Sequence, residues 1–113
     1  MQLKILKYLL DIESVISEVE TIKQRVGNDF NSFKEDVILQ RAIERELEII
    51  GEAVRNLIEL HPEIQISSPK KIIGLRNIIS HAYDSIEPEL IWGIIQRDVP
   101  QLSNEIQKIK STQ

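Results

Sequence analysis

Residues 34–60 read KEDVILQRAIERELEIIGEAVRNLIEL and carry the pattern that decides the fold. Apolar side chains recur every three or four residues along two neighbouring rows, which predicts one long helix with a wide buried face. One row contains Ile43, Leu47, Ile50, Val54 and Leu57, and the other contains Leu39, Ala42, Ile49 and Ala53. A face this wide predicts contact with two or more helices, or with another subunit.

The same spacing predicts three further helices around this one. A first helix covers residues 3–26 and ends at Gly27-Asn28-Asp29, and a third starts at Ser68-Pro69. A fourth follows a cap at Asp84 or Ser85 and continues an apolar face towards the end of the sequence. The expected architecture is an all-α, four- to five-helix bundle with up-and-down connections.

Caps and prolines set the expected limits of these helices. Ser32 with Glu35 has the form of a capping box at the start of the second helix, with Asn31 as the alternative cap. His61-Pro62 ends that helix because the residue before a proline is disfavoured in the helical region. Pro100 lacks a backbone N–H and is expected to kink or divide the fourth helix.

The composition bounds the class of protein. At 113 residues the chain is large enough for one hydrophobic core and is expected to form a single domain over residues 1–113. Hydrophobic residues make up 42% and aromatics only 4%, which favours packed helices over a sandwich or barrel. There is no cysteine, so disulfides, thiolate metal ligands and cysteine nucleophiles are excluded.

Charge limits both location and partners. Lys4, Lys7, Asp11 and Glu13 interrupt the first helix, so it is neither a signal peptide nor a membrane span. We therefore expect a soluble, cytoplasmic protein without membrane contact. The formal net charge of -4 argues against a general nucleic-acid coat, which is normally basic. Any RNA contact must be local, or shared with a second subunit.

Residues 75–84, LRNIISHAYD, concentrate the chain's chemically versatile side chains. They offer a permanent cation, an amide, a hydroxyl, an imidazole and a phenol, supplied by Arg76, Asn77, Ser80, His81 and Tyr83. An arginine and a histidine near a helix end also serve as an ion-pair donor and a cap. The helical repeat, however, places Asn77 and His81 nearly opposite the apolar row of this helix. The polar set is therefore expected to face solvent or a partner.

This set suits the cleavage of RNA by the ribose 2'-hydroxyl, which attacks the adjacent phosphorus and leaves a cyclic phosphate. His81 can transfer the proton near neutral pH, and Arg76 can contact the charged phosphoryl oxygens with two N–H groups. Asn77 can orient the imidazole or bind the phosphate, and Ser80 can add a weaker contact. Tyr83 can stack on a base or bind the phosphate. One motif has one histidine, so a separate acid and base require a second copy in a symmetric dimer.

Other chemistries fit the sequence less well. His61 and His81 lack carboxylates at ligand spacing, so no metal site and no cofactor is expected. Glutamates alternate with arginines along the second helix, and the pattern predicts a solvated or interface face with ion pairs. These residues are Glu44, Glu46, Glu48, Glu52, Arg41, Arg45 and Arg55. Phe30, Phe33 and Trp92 are expected to pack on the core, with base stacking as the alternative for Trp92.

The spacing of Arg76, His81 and Tyr83, with Asn77 directly after the arginine, resembles the signature of HEPN-domain ribonucleases. More narrowly, it resembles the HepT toxin of HepT/MntA toxin-antitoxin pairs. The resemblance extends to Glu48-Ile49-Ile50-Gly51-Glu52-Ala53, to Gly74-Leu75 before the motif, to Asp84 and Ile86 after it, and to Trp92. Many relatives have glycine at the position of Ala82 and an aromatic residue near Pro69.

This resemblance implies a metal-independent RNase toxin that acts as a homodimer, with both motifs lining one cleft. Arg76 and His81 would be the catalytic pair, and the substrate would be an RNA such as tRNA or mRNA. It also implies an MntA-like nucleotidyltransferase antitoxin that uses ATP to AMPylate Tyr83. The AMP phosphodiester beside Arg76 would occupy the anion site and repel RNA.

Two other functions remain open at this point. One is a non-catalytic HEPN adaptor that pairs with a nucleotidyltransferase and binds nucleotide or RNA without cutting it. The other is a purely structural helical dimer, in which Arg76 and His81 affect stability alone.

Overall fold

The computed structural model describes residues 2–67 and 87–112, and every regular element in these two ranges is helical. The elements are α1 (Leu3–Arg25), α2 (Phe30–Glu35), α3 (Val37–Leu60), α4 (Pro88–Gly93), a π-helical turn (Ile94–Asp98) and α5 (Val99–Ser111). The all-α prediction is therefore confirmed. The predicted third helix from Ser68-Pro69, and the predicted caps Asp84 and Ser85, lie outside the described residues. No helix within the two described ranges is long and apolar enough to cross a membrane.

The core forms where α1 packs against α3, with α4, the π-turn and α5 packed alongside. Each long helix contributes one stripe of buried apolar side chains, spaced by threes and fours. The buried stripe of α1 contains Leu9, Ile12, Val15, Ile16 and Val19. The first predicted row of α3 is entirely buried, whereas the second is only partly covered: Ala53 is buried, and Leu39, Ala42 and Ile49 are half-buried. This second row gives α3 a partly exposed side.

The end of α1 matches the predicted stop. Gly27 and Asn28 both have positive φ angles, of 63° and 52°. The amide of Asn28 donates to the Lys23 carbonyl and that of Gly27 to the Gln24 carbonyl, both at 2.9 Å. This pair of bonds is the Schellman arrangement that satisfies the last carbonyls of a helix. Glycine is suited to the first left-handed position because it has no Cβ.

The predicted second helix, residues 34–60, is wrong as one continuous element. Asp36 has an extended backbone, with φ of -108° and ψ of 88°, and separates α2 from α3. Its carboxylate accepts from the Leu39 amide at 3.1 Å and so caps α3. Across the break, the Gln40 side-chain amide donates to the Phe33 and Lys34 carbonyls at 2.9 Å each, which satisfies the end of α2. The C-terminal limit is confirmed, since α3 ends at Leu60 and His61 is its C-cap.

The predicted N-cap at Asn31 or Ser32 is also wrong. The cap of α2 is Asp29, rather than Asn31 or a Ser32–Glu35 capping box. The Asp29 carboxylate accepts from both the amide and the hydroxyl of Ser32, at 3.0 Å each. The Asp29 carboxylate satisfies one N–H of the first turn and also adds favourable negative charge at the positive end of the helix.

Three aromatic rings join α2 to α4, and all three pack on the core as the sequence predicted. The Trp92 ring lies 5.2 Å from the ring centre of Phe33 and 5.9 Å from that of Phe30. Phe33 is fully buried, and Phe30 and Trp92 are half-buried against the core. The packing interpretation of Trp92 is therefore confirmed. Tilted ring pairs at these separations add roughly 0.5–1.5 kcal/mol beyond the burial of their area.

Pro100 disrupts the last helix in the manner expected of a residue without an N–H. The Val99 amide donates to the Ile94 carbonyl, which makes residues 94–98 a π-helical turn. In that register the donor to the Ile95 carbonyl would be the amide of residue 100, which proline lacks. The Lys23 ammonium donates to the Ile95 carbonyl instead, at 3.3 Å. A side chain of α1 thus satisfies a backbone group that the proline leaves without its helical donor.

Candidate functional site

The predicted catalytic residues all fall between the two described ranges. They are Arg76, Asn77, Ser80, His81 and Tyr83, and each lies outside the described residues. Their proposed roles therefore remain predictions from the sequence. The structure instead shows how the chain is held where it enters and leaves this stretch.

The chain before residue 68 contacts α5, and the chain after residue 86 leads into α4. The Ser67 amide donates to the Glu105 carboxylate at 2.9 Å, and the Ser67 hydroxyl accepts from the Gln101 side chain at 2.9 Å. Ile66, directly before it, is buried. On the far side, Pro88 occupies the first turn of α4, where a missing N–H costs no helical hydrogen bond. The chain therefore enters residues 68–86 from the surface of α5 and leaves them into α4.

A groove of about 520 Å³ runs between α1 and α3. Both helices contribute polar side chains to its walls and apolar side chains to its floor. It is lined by Tyr8, Asp11, Ser14 and Val15 of α1 and by Arg45, Glu48, Ile49, Glu52, Ala53 and Asn56 of α3. Three carboxylates and one guanidinium thus surround an apolar floor. No pattern in the sequence predicted this groove, although the second apolar row of α3 forms part of it.

The ion pairs predicted along α3 are present. Arg41 contacts Glu44 at 3.0 Å and Arg45 contacts Glu48 at 3.4 Å, each one helical turn apart. Arg55 lies 3.8 Å from Glu52. The arginines are well exposed, so each of these pairs contributes well under about 1 kcal/mol. Glu44 is buried, whereas Arg45, Glu48, Glu52 and Arg55 are at least partly exposed.

Glu46 differs from the other glutamates of this helix, because it faces Glu18 on α1. Burial and a hydrogen bond with the Glu18 carboxyl raise the pKa of Glu46 to about 7, and Arg45 opposes this shift. A protonated carboxyl can donate to its neighbour, so the contact links α1 to α3 while the proton is held. The spacing of Glu46 in the sequence could have indicated that it lies on a partly buried side of α3. Glu46 continues the three- and four-residue spacing of the second apolar row, between Ala42 and Ile49.

Histidine and carboxylate side chains form no group of three or more that could hold a metal ion within residues 2–67 and 87–112. His61 is exposed at the end of α3, and its backbone amide donates to the Leu57 carbonyl at 2.8 Å. In the described part of the chain, His61 is thus a helix-terminal residue.

The matches of this chain to known proteins all indicate the same family. The family described as "Ribonuclease HepT-like" matches residues 15–109. A protein named "Putative RNase" from Caldanaerobacter subterraneus is 37% identical over 100 residues, which cover 87% of this chain and 89% of that protein. A protein of the same name from Methanocaldococcus jannaschii is 35% identical over 101 residues, covering 88% of this chain and 91% of that protein.

A third relative extends the match to a protein with the family's own name. "Probable ribonuclease HepT" from Thermococcus cleftensis is 32% identical over 107 residues, covering 91% of this chain and 93% of that protein. No solved structure gave a significant match. The family match includes α3, the residues 75–84 and most of α5. The chain belongs to the HepT-like ribonuclease family.

Proposed function

We propose that this chain is a metal-independent endoribonuclease and the toxin of a toxin-antitoxin pair. The observation that carries the proposal is the family match over residues 15–109, which includes Arg76, His81 and Tyr83 at the spacing of the HEPN signature. The names of three relatives, each covered over most of its length, support ribonuclease activity.

The proposed reaction uses only side chains from two copies of the motif. His81 accepts the proton of a ribose 2'-hydroxyl, whose oxygen then forms a bond to the adjacent phosphorus. The bond from phosphorus to the 5'-oxygen breaks, and that oxygen leaves with a proton. The products are a 2',3'-cyclic phosphate and a free 5'-hydroxyl. Arg76 remains charged throughout and stabilises the phosphoryl oxygens, with Asn77, Ser80 and Tyr83 as contacts to the RNA.

A homodimer supplies the second proton-transfer group. One copy of the motif contains one histidine, and a two-fold axis would bring His81 of the partner subunit to the same cleft. Each histidine could then serve one half of the reaction, one as base and the other as acid. Two basic motifs in one cleft would also offset the net charge of -4 on each chain.

Tyr83 is the proposed point of control. An MntA-like nucleotidyltransferase antitoxin would transfer AMP from ATP to the phenol, forming a phosphodiester at the tyrosine oxygen and releasing pyrophosphate. The added phosphodiester would bind Arg76 and exclude the RNA backbone by like charge. This assignment places the toxin and its antitoxin in the cytoplasm.

Cleavage by the purified chain tests the catalytic part of the proposal. A single-stranded RNA should be cut in the presence of a metal chelator, with cyclic phosphate at the new ends and no cleavage next to a 2'-deoxy position. His81→Ala should lose this activity. His61→Ala is the matched control, because it changes the chain's other histidine at an exposed helix end. Equal cleavage by wild type and His81→Ala would refute the catalytic assignment.

The adaptor function is the second candidate, and the acidic net charge of -4 is the observation that favours it. An adaptor would bind RNA or nucleotide with a nucleotidyltransferase and leave RNA intact. Retained RNA binding without any cyclic phosphate, in protein confirmed to be folded, would support the adaptor over the nuclease.

Intact mass after co-expression with the partner nucleotidyltransferase tests the modification. The wild type should gain whole multiples of an adenylyl group, and Tyr83→Phe should gain none. Tyr8→Phe should behave as wild type, since Tyr8 is the chain's other tyrosine. An unchanged wild-type mass while toxicity is suppressed would contradict AMPylation.

A further inference from the structure

Two polar side chains of α5 hold the chain just before the predicted catalytic stretch. Gln101 and Glu105 lie about one helical turn apart and therefore on the same side of α5. The Glu105 carboxylate accepts from the Ser67 backbone amide at 2.9 Å, and the Gln101 side-chain amide donates to the Ser67 hydroxyl at 2.9 Å. These two hydrogen bonds, which we call the Ser67 anchor, fix both the backbone and the side chain of one residue.

The helix that supplies the Ser67 anchor is itself packed into the core. Leu102 is 1% exposed and Ile106 is fully buried, and both lie next to the anchoring positions on α5. The last turn of α5 is tied to α1, because the Lys110 ammonium lies 2.7 Å from the Glu13 carboxylate. The two bonds to Ser67 therefore connect the start of residues 68–86 to the packed core.

The residues directly before Ser67 are seated on the core as well. The Ile66 side chain is buried, and the half-buried Ile64 packs against the core. The Ile64 amide donates to the His61 carbonyl at 3.0 Å, so the turn after α3 also has a defined path. Apolar packing on one side and the Ser67 anchor on the other together set the direction in which the chain continues.

That direction matters for groups much farther along the chain. The sequence predicts a helix from Ser68-Pro69, in which Arg76 would lie about 14 Å and His81 about 21 Å beyond Ser67. A change of about 5° in the direction of such a helix would move these two positions by roughly 1 and 2 Å. Misplacement of a reacting group by about 1 Å costs on the order of 100-fold in rate.

We propose that Glu105, supported by Gln101, is a positioning residue of the proposed nuclease. It acts through Ser67, by fixing where and in which direction the chain enters residues 68–86, and it needs no contact with the RNA. The inference rests on the proposed function and adds to it a group outside the motif. The bond from the Ser67 amide is the stronger of the two because its acceptor is charged. A negative charge also suits the start of the predicted helix, where free N–H groups form the positive end.

Cleavage kinetics of two Glu105 variants test the positioning role. Glu105→Ala removes the acceptor and should lower kcat about 10-fold or more, with KM within about 3-fold of wild type, because every group of the motif is retained. Glu105→Gln keeps an oxygen that can accept from the Ser67 amide, and it should retain at least about a third of the wild-type kcat. Recovery in the conservative variant distinguishes the hydrogen bond from the charge.

A double-mutant cycle tests the second bond of the Ser67 anchor. Ser67→Ala and Gln101→Ala each remove one partner of the same contact, so each should lower kcat about 3-fold and the double variant no further. Asn104→Ala, at an exposed neighbouring position on α5, should match the wild type. Glu59→Ala should do so too, and it controls for net charge, because it removes one exposed carboxylate as Glu105→Ala does.

Hydrogen exchange measured by mass spectrometry provides a readout that does not depend on activity. Peptides from residues 68–86 should exchange about 3-fold or more faster in Glu105→Ala than in the wild type, whereas peptides from α1 and α3 should be unchanged. Glu105→Gln and Glu59→Ala should exchange as the wild type does. Circular dichroism should show that every variant is folded at the assay temperature.

Three results would overturn the proposal. One is a Glu105→Ala protein with the kcat of the wild type. Another is an equal loss of kcat in Glu105→Gln and Glu105→Ala, which would assign the effect to charge. The third is unchanged exchange of residues 68–86 in folded Glu105→Ala. An active wild type that is insensitive to Glu105 would refute the positioning role alone. An inactive wild type whose exchange still depends on Glu105 would refute the nuclease and leave the Ser67 anchor in place.

Discussion

Replacing Lys23 by methionine should weaken the junction between α1 and the π-turn. The substitution keeps most of the apolar stem and removes the ammonium that donates to the Ile95 carbonyl at 3.3 Å. Ile95 is fully buried, and Pro100 supplies no backbone donor to its carbonyl. Lys23 also lies 3.4 Å from Glu20, whose side chain is well exposed. The substitution therefore removes one buried contact and one surface contact.

The two contacts differ enough in energy to be told apart. Leaving a buried carbonyl without a donor costs about 1–3 kcal/mol. The one-turn ion pair with Glu20 contributes roughly 0.2–0.5 kcal/mol. At about 4 °C per kcal/mol for a chain of this size, Lys23→Met should lower the melting temperature by roughly 5–14 °C. Glu20→Gln, which removes the ion pair and leaves the donor to Ile95, should lower it by about 2 °C or less.

Urea unfolding of a double-mutant cycle with Pro100→Ala isolates the backbone effect. Alanine restores the N–H that proline lacks, so a backbone donor can reach the Ile95 carbonyl without Lys23. In that background Lys23→Met should cost only about 0.5 kcal/mol, the value of the surface pair. All four proteins should be compared at one protein concentration, because dimerisation changes apparent stability. An equal cost of Lys23→Met in both backgrounds would refute the reasoning.

Three further substitutions test other contacts of the fold. Because the pKa of Glu46 is raised from 4.5 to about 7, the folded chain retains a proton that the unfolded chain releases between these values, and stability falls as pH rises across them. Glu46→Gln should thus raise the free energy of unfolding at pH 8 by on the order of 1 kcal/mol, since solvent screening reduces the effect. At pH 4 the substitution should leave the free energy of unfolding unchanged. Equal effects of the substitution at pH 8 and pH 4 would contradict the raised pKa. Asp36→Ala should cost about 1 kcal/mol by removing the cap of α3, and an effect near zero in urea unfolding would exclude the capping role. Trp92→Ala should cost about 2–3 kcal/mol because it empties the half-buried site against Phe30 and Phe33; a loss below about 1 kcal/mol would contradict the packing role.

Hydrophobic periodicity predicted the main helices because their stability depends on repeated local contacts. The core row of α3 and the stop after α1 followed directly from spacing and from glycine and asparagine chemistry. The break at Asp36 did not, because apolar spacing continues through it. It depends on Gln40 reaching back to the Phe33 and Lys34 carbonyls, a contact that no periodic pattern encodes.

For Pro100, the sequence predicted the local disturbance of the helix but not the tertiary contact that compensates for it. A missing N–H predicted a local disturbance, and the π-turn is that disturbance. The donor that compensates for it comes from Lys23, far away in the sequence. Likewise, the raised pKa of Glu46 requires Glu18 on a different helix. Sequence spacing placed Glu46 in an apolar row but could not identify the group that it faces.

The candidate site was predicted from residue chemistry and motif spacing rather than from the fold. Arg76, His81 and Tyr83 were selected because a cation, a proton-transfer group and a phenol at this spacing match one reaction and one family. The family relationship is established by the comparisons, whereas the roles of these side chains remain proposals. The described residues on either side of this stretch are Ser67, which is hydrogen-bonded to Gln101 of α5, and Pro88, which begins α4.

Induced expression of the wild type and of His81→Ala, with total RNA examined in both cultures, tests the central proposal most directly. At matched levels of soluble, helical protein, the wild type should arrest growth and produce RNA fragments that end in 2',3'-cyclic phosphate. His81→Ala should do neither, and His61→Ala should match the wild type. Equal growth and intact RNA in every culture, or the same fragments with and without His81, would contradict the assignment of this chain as a ribonuclease acting through that histidine.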